Sequence, residues 1–119
     1  VFKQGRSPAI VVPPRAFEAL IRALIKSGYE KNGQSLKRKG EAVSLKKSFH
    51  VGRGNARESR QNHIQIVIRG GMVCVYAHTE PDTDRTIMHT LAGLFDLASF
   101  SAGSRMLKRD LQRSGFLRS

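Results

Sequence analysis

A Gly70-Gly71 pair set between two runs of alternating apolar residues constrains this chain more than any other feature. Two consecutive glycines supply the positive φ angles of a two-residue primed turn, whose twist matches that of paired antiparallel strands. Asn62 to Arg69 and Met72 to His78 are therefore predicted to be neighbouring strands. The turn also fixes their register, because opposed residues must then carry numbers that sum to 141. Ile64 is set against Ala77, Ile66 against Val75 and Ile68 against Val73, which makes an apolar face for a core. The other face pairs His63 with His78, Gln65 with Tyr76, Val67 with Cys74 and Arg69 with Met72. This face is expected to be open to solvent, and a function carried by the sheet belongs on it.

The period of two returns from Glu41 to Val51, where Val43, Leu45, Phe49 and Val51 alternate with Ser44, Lys46, Ser48 and His50, and only Lys47 breaks the pattern. Ala9 to Val12 reads as an edge strand ended by Pro13-Pro14. A helix is predicted from about Pro14 to Ser27, closed by Gly28, with Phe17, Leu20, Ile21, Leu24 and Ile25 as its buried stripe. Pro81 and Asp82 are expected to open a longer helix to about Phe100, with Ile87, Met88, Leu91, Leu94, Phe95 and Ala98 facing inward. Ser101 to Ser104 interrupts it, and a last helix runs from Arg105 to Ser114 with Leu107 and Leu111 inward. Lys31 to Gly40 and the arginine-bearing stretch Gly52 to Gln61 read as loops. The fold class that follows is α+β: an antiparallel sheet of three or four strands packed against two or three helices. It forms one domain over residues 1–119, with residues 1–7 as a flexible lead-in.

Charge narrows the function. The net charge is +12 and the isoelectric point about 10.9. Up to Asn62 the chain holds 14 Lys and Arg against 4 Asp and Glu; after it, 7 against 5. Such a one-signed excess marks a surface for a polyanion, and nucleic acid is the expected partner, because each phosphate neutralised releases condensed counterions. No apolar run reaches the roughly 20 residues of a membrane span and no signal peptide is evident, so an intracellular, soluble protein is expected. The lone Cys74 excludes an internal disulfide or a cysteine-based metal cluster and fits a reducing compartment. The first residue is Val1 rather than Met, which reads as a processed product or an excised domain.

The candidate phosphate contacts are Arg15, Arg22 and Lys26, which share one row of the first helix opposite its apolar stripe. Lys37, Arg38 and Lys39, then Lys46 and Lys47, and the loop arginines Arg53, Arg57 and Arg60 extend the set, with Tyr76 as a stacking residue on the sheet. Arg105, Lys108, Arg109 and Arg113 spread over the outer side of the last helix.

His63 and His78, joined by His50 from the neighbouring strand, allow a second reading: a general base and acid for attack of a ribose 2′-hydroxyl on its own phosphate. The simpler reading is that they line an open sheet beside Tyr76 and stack on bases without reacting. Zinc through His63 and His78 lacks a cysteine or acidic residue at a completing spacing, so neither a metal nor another cofactor is expected.

From Phe17 to Tyr76, together with the last helix, the order helix, three antiparallel strands, helix resembles the double-stranded RNA-binding domain. It also resembles the small HicA-type toxins that cleave messenger RNA, and that resemblance implies a catalytic strand histidine at His63. The helix expected after Pro81 departs from both families. The reading that results is a nucleic-acid-binding protein, RNA favoured over DNA, contacting phosphates through its basic half. The alternatives are a small ribonuclease using His63, and a homo-oligomer or a subunit of a nucleoprotein or viral assembly in which the long helix meets protein.

Overall fold

The computed structural model describes residues 7–31, 41–81 and 97–118. Its elements are β1 (Ile10–Val12), a 3-10 turn (Pro14–Ala16), α1 (Phe17–Lys26), β2 (Glu30–Lys31), β3 (Glu41–Val51), a second 3-10 turn (Gly54–Ala56), β4 (Glu58–Arg69), β5 (Met72–Pro81) and α2 (Leu97–Arg113). The sheet is antiparallel throughout, in the order β1-β5-β4-β3-β2.

Five strands replace the three or four expected, and two α-helices, one short and one long, are found among the described residues. Among the described residues more lie in strands than in helices. β1 caps one edge beside β5, whereas β2 at the other edge lies where a loop was expected to begin, since Glu30 and Lys31 carry no apolar signal. β4 starts at Glu58 and β5 ends at Pro81, so both outrun their predicted bounds. Pro81 is the last residue of β5. The helix expected from Pro81 and Asp82 falls largely on residues 82–96, outside the described residues, as do residues 1–6 of the 1–7 lead-in and Lys37, Arg38 and Lys39. Among the described residues no helix is long and apolar enough to cross a membrane.

The β4–β5 register is the one that the glycine pair dictates: Ile64 opposes Ala77, Ile66 opposes Val75 and His63 opposes His78, with Gly70 and Gly71 at φ 55° and 74°. Leu45 of β3 opposes Ile64, and these side chains with Val73, Val75 and Ala77 pack under Leu20 and Leu24 of α1 and Leu107 and Leu111 of α2. Both helices therefore cover one face of the sheet. Two apolar residues assigned to the core escape it: Ile25 and Ile68 are about half exposed, at 51% and 49%.

Both helices end in the same way. Gly28 (φ 101°) turns the chain so that its N–H bonds Ile25 O and the Tyr29 N–H bonds Leu24 O, while Gly115 (φ 87°) lets Phe116 bond Leu111 O. The first of these turns drives Tyr29 into the interior. α2 runs unbroken through Ser101 to Ser104 where an interruption was predicted. Gly103 is there for proximity rather than for a break: a Cβ on it would lie 2.7 Å from both Cα and N of His78 and 2.8 Å from Asn62 Oδ1.

Candidate functional site

The outer side of the helical layer is basic. Arg15, Arg22 and Lys26 are exposed on and beside α1, and Arg105, Lys108, Arg109 and Arg113 are exposed on successive turns of α2. Arg22 lies 4.0 Å from Glu18, which is also exposed. The four cations of α2 have no acidic partner among the described residues, because the acid on that stretch, Asp110, points inward and is buried.

The arginine loop is shorter than its sequence implies. β3 ends at Val51 and β4 begins at Glu58, which leaves Gly52 to Arg57 as the connection, bent by Gly52 and Gly54 at φ 85° and 55°. Arg53 and Arg57 are exposed there, while Arg60 belongs to the strand, half-buried and bonded to Thr79 Oγ1 at 3.3 Å with Glu58 at 3.9 Å. Lys46 is half-buried on β3.

Lys47 and Tyr76 take other roles. Lys47 shares the core face with Leu45, and its Nζ reaches Asp110 Oδ2 at 3.2 Å and lies 5.4 Å from the centre of the Tyr29 ring. Tyr29 donates its hydroxyl proton to the same carboxylate oxygen at 2.9 Å, and Asn62 Nδ2 donates to the tyrosine oxygen and to Gly103 O. One polar chain thus links β3, β4, α2 and the turn after α1. Burial is the main cause that pushes the Tyr29 phenol far above its ordinary value; the adjacent Asp110 carboxylate adds to the shift, and the Asn62 bond opposes it. Tyr76 is buried, its hydroxyl accepting from Arg69 Nη1 at 3.4 Å, and offers no open stacking face.

The second face of the sheet, expected to be open, is closed around β4 and β5. His63, His78, Tyr76, Cys74, Glu80, Gln61 and Ser44 are all buried. Alternation marks most of these positions as polar, and hydrogen bonds join several of them to one another. Ser44 Oγ meets His63 Nε2 at 2.7 Å, His78 Nε2 meets Glu80 Oε1 at 3.0 Å, and Gln61 donates to Glu80 Oε2. His63 Nδ1 faces Glu80 Oε2 at 3.9 Å. The two imidazoles stand edge to face 5.0 Å apart, and Phe100 of α2 lies 6.0 Å beyond His78. Burial raises the Glu80 carboxyl, but the His78 hydrogen bond, the charges of His78 and His63 and the Gln61 bond outweigh it and hold the group below the ordinary carboxylate value.

Ser44, His63 and Glu80 stand in the order of nucleophile, base and orienting carboxylate. The 3.9 Å step from His63 to Glu80 is too long for a hydrogen bond, and Ser44 is 5% exposed, so the line joins buried groups rather than presenting a nucleophile. His50, exposed on β3, takes no part in the cluster. Glu80 is the residue that sequence reasoning missed. Two positions beyond His78 on one strand, it must share the histidine's face, and this was readable only once β5 was carried past His78. Comparison with protein-family models, curated proteins and solved structures returns no match for this chain.

Proposed function

We propose that this protein binds nucleic acid, RNA favoured, through phosphate contacts made by the outer side of its helical layer and by the arginine loop. One observation carries the reading: α2 turns Asp110 inward and Arg105, Lys108, Arg109 and Arg113 outward, which leaves a row of cations with no acidic partner among the described residues. Arg15, Arg22 and Lys26 extend that row onto the neighbouring helix, and Arg53 and Arg57 add two forked donors on a glycine-bent connection. Long cationic side chains on a rigid layer suit backbone contacts, which give affinity without base readout. The preference for RNA rests on the arginine loop alone, since Tyr76, His63 and His78 are buried and supply no stacking platform. Their burial also weighs against the ribonuclease alternative, because a general base must reach the proton it removes.

The test is a titration of purified protein with labelled RNA, single-stranded DNA and duplex DNA at several salt concentrations. Each phosphate neutralised contributes about −0.7 to the slope of log K against log salt on single strands and about −0.9 on duplex. Binding with a slope of about −3 or steeper, RNA strongest and intact on a denaturing gel, is the expected result. Binding that is absent or indifferent to salt overturns the proposal, and cleavage of the RNA overturns it in favour of the nuclease.

A further inference from the structure

The buried face of the sheet gathers metal-ligating side chains apart from the basic surface. We propose that His63 Nδ1, His78 Nε2 and the Glu80 carboxylate together bind one divalent transition ion of the zinc class.

The three donor atoms lie within 4.8 Å of one another, and all three residues are buried. Zinc held at its usual 2.0–2.1 Å from tetrahedral nitrogen and oxygen ligands sets neighbouring donors about 3.4 Å apart. His78 Nε2 lies 3.0 Å from Glu80 Oε1 and His63 Nδ1 lies 3.9 Å from Glu80 Oε2, so each carboxylate oxygen faces one imidazole and an ion between the rings would draw the three side chains onto it. The backbone enforces the arrangement. His63 and His78 are a register pair on adjacent strands, and Glu80 follows His78 on the same face.

The surrounding bonds match what a metal site requires. An imidazole that ligates through one nitrogen donates from the other to a fixed acceptor. Ser44 Oγ stands 2.7 Å from His63 Nε2, placed to accept from it when His63 ligates through Nδ1 on the side of Glu80. Gln61 holds Oε2 of the carboxylate while Oε1 faces His78. The set of two imidazoles and a carboxylate favours zinc and its first-row neighbours over magnesium or calcium, which take oxygen ligands. Three protein donors leave a fourth position for water. The site does not depend on the basic surface and stands whether or not nucleic acid binds there.

The experiment uses the full chain, stripped with a chelator, titrated calorimetrically with zinc chloride and with magnesium chloride as control, followed by cobalt(II) as a spectroscopic probe. One zinc per chain, visible d–d absorption of tetrahedral intensity without a thiolate band, and no magnesium binding are expected. His78→Ala and Glu80→Gln should each weaken zinc by more than tenfold, since changing an outer partner alone costs about 10–100-fold. His50→Ala should bind as the wild type does. Where a variant does not fold, imidazole nitrogen resonances of the wild-type chain decide: zinc should shift Nδ1 of His63 and Nε2 of His78 and leave His50 unmoved. Absence of stoichiometric zinc binding, loss of it in His50→Ala, or shifts confined to His50 overturns the site.

Discussion

Lys47 Nζ and Asp110 Oδ2 meet 3.2 Å apart on the core side of the sheet, although 63 residues separate them in the chain. The pair is lopsided: the Asp110 side chain is 8% exposed and that of Lys47 is 26%. Removing the lysine strands a buried carboxylate with little but the Tyr29 hydroxyl, whereas a bereft lysine reaches water. Lys47→Met should therefore cost about 2–3 kcal/mol and Asp110→Asn about 1 kcal/mol, because asparagine still accepts from Tyr29. Urea unfolding of the two variants checks the order; equal losses would show that burial does not govern the pair.

Gly103→Ala tests the close crossing of α2 over β5. In an open helix the change would gain up to about 1 kcal/mol. Here the new methyl meets the backbone of His78 at 2.7 Å, and backbone cannot swing aside. The expected outcome is a net loss of about 1–3 kcal/mol, as for other overpacked sites, read as a lowered urea midpoint. A stabilised variant would refute the crossing.

The Tyr29 phenol is held neutral well above its ordinary value of 10.0. A group raised in this way contributes its full stability below pH 10.0, and that contribution is lost as pH climbs beyond it, where the unfolded chain ionises and the folded chain resists. Absorbance of tyrosinate should show Tyr29 ionising together with unfolding. Tyr29→Phe should cost about 1 kcal/mol at neutral pH through its lost hydrogen bonds and flatten the alkaline fall in stability.

Neutralising Arg105, Lys108, Arg109 and Arg113 together should lower the salt slope of RNA binding by about 3, and neutralising Arg53 and Arg57 by about 1.5. Stability should change by no more than about 0.5 kcal/mol per exposed site. Lys47→Met, by contrast, should leave the slope untouched, because its ammonium is engaged inside. An unchanged slope in the α2 variant would place the contacts elsewhere.

What could be read in advance, and what could not, follows from the range of the signals. Gly70-Gly71 is a local device with one register, so Ile64, Ile66, Val73 and Val75 fell on the core face as expected. Lys47 was visible as an anomaly, but its explanation lay in a distant acid that nothing local points to. Alternation reports which positions are polar and not whether polar groups satisfy one another; hence His63, His78 and Tyr76 were placed in solvent and are buried. β2 has two residues and no apolar one, so no periodicity could announce it. Glycine within Ser101 to Ser104 reads as a breaker unless the neighbour it must approach is known.

Among the described residues β1 has one strand neighbour, β5, and about 60 residues of chain separate Val12 from Val73 opposite it. Closing a loop of that length costs conformational entropy that three residue pairs do little to repay, whereas the β4–β5 hairpin closes across two glycines. Assembly should accordingly begin at the hairpin and add β1 only after it. The reverse holds in the folded protein: amide hydrogens bonded between Ile10–Val12 and β5 should exchange well ahead of those shared by β4 and β5, so the β1 edge should open while the hairpin beside it stays closed.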